Sequence, residues 1–253
     1  MPSPRSNRPI TLILATRNRH KTAEIDALLS ERFQLQTLNE FPGAPELVED
    51  AATFAGNATR KAVQLAGWLA ETVCDFGSSG RGRDVFVLAD DSGLEVAALG
   101  GAPGVLSARF AALDSTSGIS GAEKNSPDAA NSTKLLRLLE GVPIEKRAAR
   151  FVCVLALTPV LASEAGNRSP VCAANELELQ TQVFEGICEG RIELTPRGQA
   201  GFGYDPLFVP KGYDRSFAQL GEEIKNRISH RSAALRKLRA RLEDLPNHGR
   251  TTR

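Results

Sequence analysis

Two adjacent carboxylates, Asp90 and Asp91, close a run of five apolar residues (Val85, Phe86, Val87, Leu88 and Ala89) and are followed by Ser92 and Gly93. An apolar run of this length with two β-branched members predicts a buried strand. In an open α/β sheet, ligands collect beyond the carboxyl ends of strands. Carboxylates placed there suit two tasks: holding a hard cation such as Mg²⁺ through oxygen, and taking a proton from water. Successive strand side chains point to opposite faces, so the two aspartates cannot serve one cleft in the same way. One should be the working ligand and the other its support, and the Ser-Gly pair is expected to turn the chain. Read alone, Asp-Asp-Ser-Gly is also an ordinary polar turn; other stretches have to decide.

Four further stretches carry polar groups at suggestive places. Residues 10–15 read as a strand and are followed by the polar loop Thr16, Arg17, Asn18, Arg19, His20 and Lys21. A helix then runs to about Ser30, with Ala23, Ile25, Leu28 and Leu29 on its apolar face. Strand, polar loop and helix together offer backbone N–H groups and a positive dipole end to an anion. Neither a P-loop nor a dinucleotide fingerprint is present. Glu49 and Asp50 precede a second helix, which Thr53 caps and on which Asn57 and Lys61 stand one turn apart. Residues 201–206 pack glycines around Phe202, Tyr204 and Asp205, letting a planar heterocycle approach the backbone. Lys225 and the run Ser229, His230, Arg231 lead into a last helix with Leu235, Leu238 and Leu242 as its inner stripe. Their hydroxyl, imidazole and guanidinium suit base carbonyls or phosphate. Each stretch on its own also reads as a cap, a hairpin or a solvated face.

The chain around these residues is long enough, at 253 residues, for one large domain or two joined lobes. A net charge of +1 gives no reason to expect a nucleic-acid coat or a membrane surface. No apolar run reaches the length of a membrane span, and the N-terminus is no secretory signal. Cys74, Cys153, Cys172 and Cys188 lack metal or redox spacing; they read as reduced, mostly buried thiols of a cytoplasmic protein. Residues 78–84 read as a loop into the central strand, 114–131 as a mobile connection, and 133–140 as a short helix. Residues 150–157 read as a second buried strand, 162–175 as a loop insertion, and 181–194 as a strand pair turned near Gly190. Residues 1–9 and 246–253 read as disordered ends.

Taken in order, these stretches resemble the inosine triphosphate pyrophosphatase family. The pieces that carry the likeness are Thr16-x-Asn18-x-x-Lys21, Glu49 ahead of Thr53-Phe-x-x-Asn57, and Ala89-Asp-Asp-Ser-Gly-Leu94. They continue with Gly100-Gly-Ala-Pro-Gly104, Ser107-Ala-Arg109, Gly201-Phe-Gly-Tyr-Asp-Pro206 and Ser229-His-Arg231. The likeness runs over residues 10–245. It implies a single domain with an elongated α/β fold: a mixed sheet with flanking helices forming two lobes around a central nucleotide cleft, usually as a homodimer. It implies Mg²⁺-dependent hydrolysis of ITP, dITP and XTP to monophosphate and pyrophosphate. By the same likeness, Thr16, Arg17, Asn18, Arg19, His20 and Lys21 would hold the triphosphate with help from Lys61. Glu49 and Asp91 would bind Mg²⁺, Asp91 would also accept the proton, Asp90 would support them, and Ser92 would touch substrate. Phe202, Gly203, Tyr204, Asp205, Lys225, His230 and Arg231 would line and read the base.

The chain departs from the family pattern at Arg17, where small or polar residues are common, at Ala51, where glycine is common, and at Gly56, where glutamate is usual. Two other functions fit part of the pattern. A nucleotide sensor without hydrolysis accounts for the phosphate loop and base pocket but leaves Glu49 and Asp91 unexplained. A pyrophosphatase for other modified nucleotides differs only in the base it takes.

Overall fold

The computed structural model describes residues 10–72, 85–114, 125–161 and 170–244, the side chains of 170–173 excepted. Expectations for residues 1–9, 78–84, 246–253 and Cys74, and for the side chain of Cys172, fall outside the described residues. Six strands form one open mixed sheet in the order β2-β1-β3-β4-β5-β6: β1 (Thr11–Leu14), β2 (Gln34–Thr37), β3 (Val85–Val96), β4 (Ala148–Pro159), β5 (Gln182–Ile192) and β6 (Phe208–Pro210). The pairs β2–β1 and β1–β3 are parallel, and β3 through β6 pair antiparallel. The helices are α1 (Arg19–Leu29), α2 (Phe54–Thr72), α3 (Asp128–Leu138), α4 (Pro170–Gln180), α5 (Phe217–Ile228) and α6 (His230–Glu243).

Both faces of the sheet are covered at the start of β3, which is why Val85–Ala89 are apolar throughout. On one face Val85, Val87 and Ala89 pack with Val152, Val154 and Ala156 against Ala58, Ala62, Leu65 and Leu69 of α2. On the other, Leu88, Cys153, Leu155 and Leu157 pack against Ile25 and Leu29 of α1 and Leu235, Leu238 and Leu242 of α6. A third cluster gathers Leu94, Val96, Phe151, Leu207, Phe208 and Phe217 around the far ends of β3 and β4. These strands therefore run from one apolar body into another, and the polar residues of β3 fall between the two.

Three expectations are corrected. Ser92 and Gly93 do not turn the chain: β3 continues to Val96, with Ser92 opposite Cys153 and Gly93 opposite Val152 on β4. Gly93 answers to crowding instead, since a Cβ there would lie 2.4 Å from Ser107 Oγ and 2.5 Å from the Gly104 carbonyl. Nor do residues 181–194 form a turned pair. β5 is one strand, and at Gly190 a Cβ would lie 2.3 Å from the Val209 carbonyl of β6. The insertions are shorter than expected: α3 already starts at Asp128, and residues 170–175 belong to α4. Residues 115–124 and 162–169 lie outside the described residues.

A third glycine sets the seat of α6. A Cβ on Gly186 of β5 would lie 2.1 Å from the His230 carbonyl and 2.4 Å from the Ala234 nitrogen. Backbone cannot yield as a flexible side chain does, so Gly186→Ala is expected to cost about 1–3 kcal/mol by overpacking. A urea titration reads this as a lower midpoint with an unchanged slope.

Candidate active site

The site grows from the alternation of β3. β1 ends at Leu14, opposite Leu88, and the Ala15 nitrogen donates to the Leu88 carbonyl (2.9 Å). The next residues of β3 thus lie just beyond the carboxyl end of its parallel neighbour. Asp91 continues the face of Val87 and Ala89, toward α2, while Asp90 continues the face of Leu88, toward α1 and α6. Both are buried, at 2% and 5% exposure for Asp90 and Asp91 respectively. Two adjacent residues of one type are thereby given two different surroundings.

Asp91 is lightly held. Asn57 Nδ2 donates to its Oδ2 and the Ser92 nitrogen to its Oδ1, each at 3.0 Å. The other end of the Asn57 amide accepts from the Ala51 nitrogen (2.8 Å), so α2 ties the 49–51 segment to the strand. Lys61, one turn on, is buried and spans the same gap: its Nζ donates to Glu49 Oε1 (3.0 Å) and to the Asp90 carbonyl (2.6 Å). Arg109 Nη2 holds the Glu49 carbonyl at 3.1 Å. Burial raises the Asp91 carboxyl above its ordinary value, Lys61, Lys21 and Asn57 pull it down, and the charge of Glu49 adds to the rise. A carboxylate so raised has more affinity for a proton than a surface aspartate has.

The donor set here is oxygen-rich and incomplete. Among the described residues no three His, Cys, Asp or Glu side chains converge as a closed metal cage. Each Asp91 oxygen accepts one bond from the residues named, and the Glu49 side chain is 43% exposed. Two carboxylates, one of them exposed, fit the habit of Mg²⁺, which keeps several water ligands and takes one or two from the protein.

Asp90, by contrast, is locked. Lys21 Nζ lies 2.5 Å from its Oδ1 and Arg231 Nε 2.8 Å from its Oδ2. Ser92 Oγ donates to Oδ1 (3.1 Å), and the Cys153 thiol donates to Oδ2 (3.2 Å). Although burial alone would raise the Asp90 carboxyl, Arg231 and Lys21 hold it well below the usual range. The pairing continues from there. Arg231 bonds Glu24, Glu24 bonds Lys225 (2.9 Å), and Lys225 bonds Asp205 (2.6 Å). Three cations and three anions thus alternate from Lys21 to Asp205, joining α1, β3, α6, α5 and the 201–206 loop. Asp205 passes the restraint to its loop by accepting from the Phe202 nitrogen (2.9 Å).

The loop before α1 is shaped by Asn18, whose Oδ1 accepts from the His20 (2.9 Å) and Lys21 (3.2 Å) nitrogens, while Thr16 Oγ1 accepts from the Asn18 nitrogen (3.1 Å). The cap therefore uses two of the N–H groups that the sequence alone offers to an anion, leaving the dipole and the exposed Arg17 and Arg19. Phe202 stacks on His20 (centroids 5.0 Å, planes at 15°), with Lys225 Nζ 4.2 Å from the Phe202 centroid. The Gly203 nitrogen donates to Asp128 Oδ2 at 2.6 Å. Tyr204 turns away into the core and donates its hydroxyl to the Ser107 carbonyl (2.9 Å). Ser92 Oγ accepts from Arg231 Nη2 (2.9 Å). His230 stacks on Phe151 (4.8 Å), its Nδ1 buried without a hydrogen-bond partner among the described residues, and burial with Arg231 and Lys225 nearby keeps its imidazole neutral.

Sequence reasoning passed over Glu24, Cys153, Asp128 and Gly186. Glu24 had a signal, since it lies three residues after Lys21 on the same helix face. The others act through tertiary neighbours alone. The structure also links two departures. A Cβ on Gly56 would lie 2.7 Å from the Ala51 Cβ, so the methyl at 51 fills the space a side chain at 56 would need.

The Ham1 family model matches residues 12–241. The chain is 40% identical over 232 residues to the dITP/XTP pyrophosphatase of Shouchella clausii, covering 92% of this chain and 96% of that one. It is 43% identical over 227 residues to the dITP/XTP pyrophosphatase of Desulforamulus reducens, covering 89% and 92%. Among solved structures, a HAM1 protein from Coxiella burnetii is similar with a TM-score of 0.69 and 34% identity, over 93% of this chain and all of that one.

Proposed function

The chain belongs to the Ham1 family, and from that premise we propose that it hydrolyses the non-canonical purine nucleotides ITP, dITP and XTP to monophosphate and pyrophosphate, keeping them out of DNA and RNA. The observation that carries the reading is the division of labour on β3: Asp91 held only by Asn57 and the Ser92 nitrogen, Asp90 immobilised between Lys21 and Arg231. Hydrolysis of an anhydride at the α-phosphorus needs an oriented water, a proton acceptor and neutralisation of the polyphosphate. No covalent nucleophile is required.

In this reading Asp91 accepts the proton of the attacking water, and Asn57 fixes the plane of its carboxylate. Glu49 and Asp91 would hold Mg²⁺, which when bound neutralises phosphate charge and polarises the phosphoryl oxygens. Lys61 holds Glu49 and the β3 backbone in register. The loop with Thr16, Arg17, Asn18, Arg19, His20 and Lys21 receives the triphosphate, its cationic side chains and the α1 dipole supplying the field. Phe202 carries the base on its ring, with Gly203, Tyr204 and Asp205 shaping the loop. Ser92, Lys225, His230 and Arg231 order the wall that meets the base edge. Donors in that wall are satisfied by a 6-oxo group and left unpaired opposite the 6-amino group of adenine. The proposal includes a cytoplasmic setting, in line with the buried free thiols Cys153 and Cys188. It also includes a homodimer, for which the exposed Val183 and Ile187 on the outer face of β5 offer an apolar surface.

A substrate panel with pyrophosphate readout tests the reading. ITP, dITP and XTP are expected to be turned over about 10²-fold or more faster than ATP, with activity lost on EDTA and restored by Mg²⁺. Tight ITP binding without pyrophosphate release would favour the sensor function instead. Faster turnover of dUTP or methylated nucleotides than of ITP would move the enzyme to another substrate class.

A further inference from the structure

Two groups lie against the Phe202 ring, and they are held in unequal ways. One is the Lys225 ammonium, itself 5% exposed and tied to Asp205 (2.6 Å) and Glu24 (2.9 Å). That cation is fixed by two carboxylates. The other is the His20 imidazole, nearly parallel to the ring at 5.0 Å. His20 is exposed, stands in the first turn of α1, and its imidazole makes no hydrogen bond to a described residue. Its backbone is anchored through Asn18, but its side chain is held by the stack alone. A flat ring inserted between two others needs them about 7 Å apart, twice the van der Waals contact distance. His20 and a purine cannot both lie on the same face of Phe202.

We propose that His20 is a place-holder on the base platform: its imidazole competes with the substrate base for the yielding face of Phe202 and must swing off before the base can stack. The inference rests on the reading that Phe202 carries the base. It assigns His20 a role opposite to that of a simple substrate ligand, because the side chain opposes binding of the base. It also couples the two ends of the site. The residue displaced by the base is carried on the turn that receives the phosphates, so base and phosphate enter by moving one side chain. An aromatic pair of this kind lowers the apparent affinity of its competitor by about 2- to 10-fold.

The chain contains three histidines, so imidazole NMR resolves His20 without ambiguity, and the inosine monophosphate product serves as a probe that needs no turnover. In the wild type with Mg²⁺, the His20 ring protons are expected upfield of a free imidazole and to lose that displacement in Phe202→Leu. Inosine monophosphate should move them to the free position, whereas inorganic tripolyphosphate, which has no base, should not. By calorimetry His20→Ala should bind the monophosphate about 2- to 10-fold more tightly. Weaker or unchanged binding by His20→Ala overturns the proposal, as does tripolyphosphate moving the ring as far as the nucleotide does. If neither form binds the monophosphate, the base-platform reading falls and takes the proposal with it. That result is distinct from the failure of the proposal alone, in which the wild type binds and His20→Ala gains nothing.

Discussion

Asp91→Asn is expected to lower kcat for ITP by about 10²–10⁴-fold, the range a positioned general base contributes, while the urea midpoint stays at or above that of the wild type. The two halves of this result share one cause. The Asp91 carboxyl is raised in the fold by burial and by Glu49, so its charged form is less at ease in the native state than in the unfolded chain. Removing that charge relieves the native state. Asparagine keeps the shape, and with its Oδ1 toward the Ser92 nitrogen it gives up only the bond from Asn57 Nδ2, because an amide presents a single acceptor. In the proposed reading, what is lost is the proton acceptor, together with one of the two carboxylates offered to the cation. A variant that lost activity and stability in parallel would instead make Asp91 a structural residue. Retained turnover with retained folding would remove it from the chemistry altogether.

The readability of this division in the sequence has a simple origin. Side-chain alternation on a strand is local, so two adjacent aspartates after Val85-Phe86-Val87-Leu88-Ala89 had to face opposite ways wherever the strand lay. Helix starts were legible for the same reason. Asn18, Thr53 and Ser229 each accept from a backbone nitrogen two or three residues on, at 2.9, 3.0 and 3.2 Å. The inner stripe of α6 followed from its period. Glycine was misread where its reason was not local. Gly93 and Gly190 look like turns because turns are where a bare sequence most often uses glycine. Each is instead a place in mid-strand where a neighbouring carbonyl comes closer than a Cβ allows. That neighbour lies 11 residues on for Gly93 and 19 for Gly190, and nothing nearby announces it. Cys153 and Asp128 were missed for the same reason, since their partners come from other elements.

That long-range character sets the size of the second effect. Arg231 sits in the middle of the alternating row Lys21, Asp90, Arg231, Glu24, Lys225, Asp205, and it is 1% exposed. With three charges of each sign, the row is neutral as a whole. Arg231→Met keeps much of the stem volume but leaves the row one negative charge in excess and cuts it in two. Breaking a buried pair by removing one partner costs about 3–5 kcal/mol, and for a chain of this size that lowers Tm by roughly 6–20 °C. Asp90→Asn leaves the opposite imbalance. The double variant Asp90→Asn with Arg231→Met restores neutrality, because two carboxylates (Glu24 and Asp205) and two ammonium groups (Lys21 and Lys225) remain. It should therefore be less destabilised than the sum of the single variants by about 0.5–3 kcal/mol.

Acid unfolding gives an independent readout of the same row. Burial alone would raise the Glu24 carboxyl, but Arg231 and Lys225 hold it below its ordinary value of 4.5. A depressed carboxyl contributes stability that is present above the unfolded value and is lost as pH falls through the folded one. With Arg231 gone, the folded value rises toward the unfolded value. The variant should therefore show a shallower fall in stability between pH 5 and pH 3 than the wild type (urea midpoints at each pH), because part of what acid would remove is already missing. A simple sum for the double variant, together with an acid limb unchanged in Arg231→Met, would show that these side chains act as separate pairs. The row would then have no means of holding the Phe202 loop to β3.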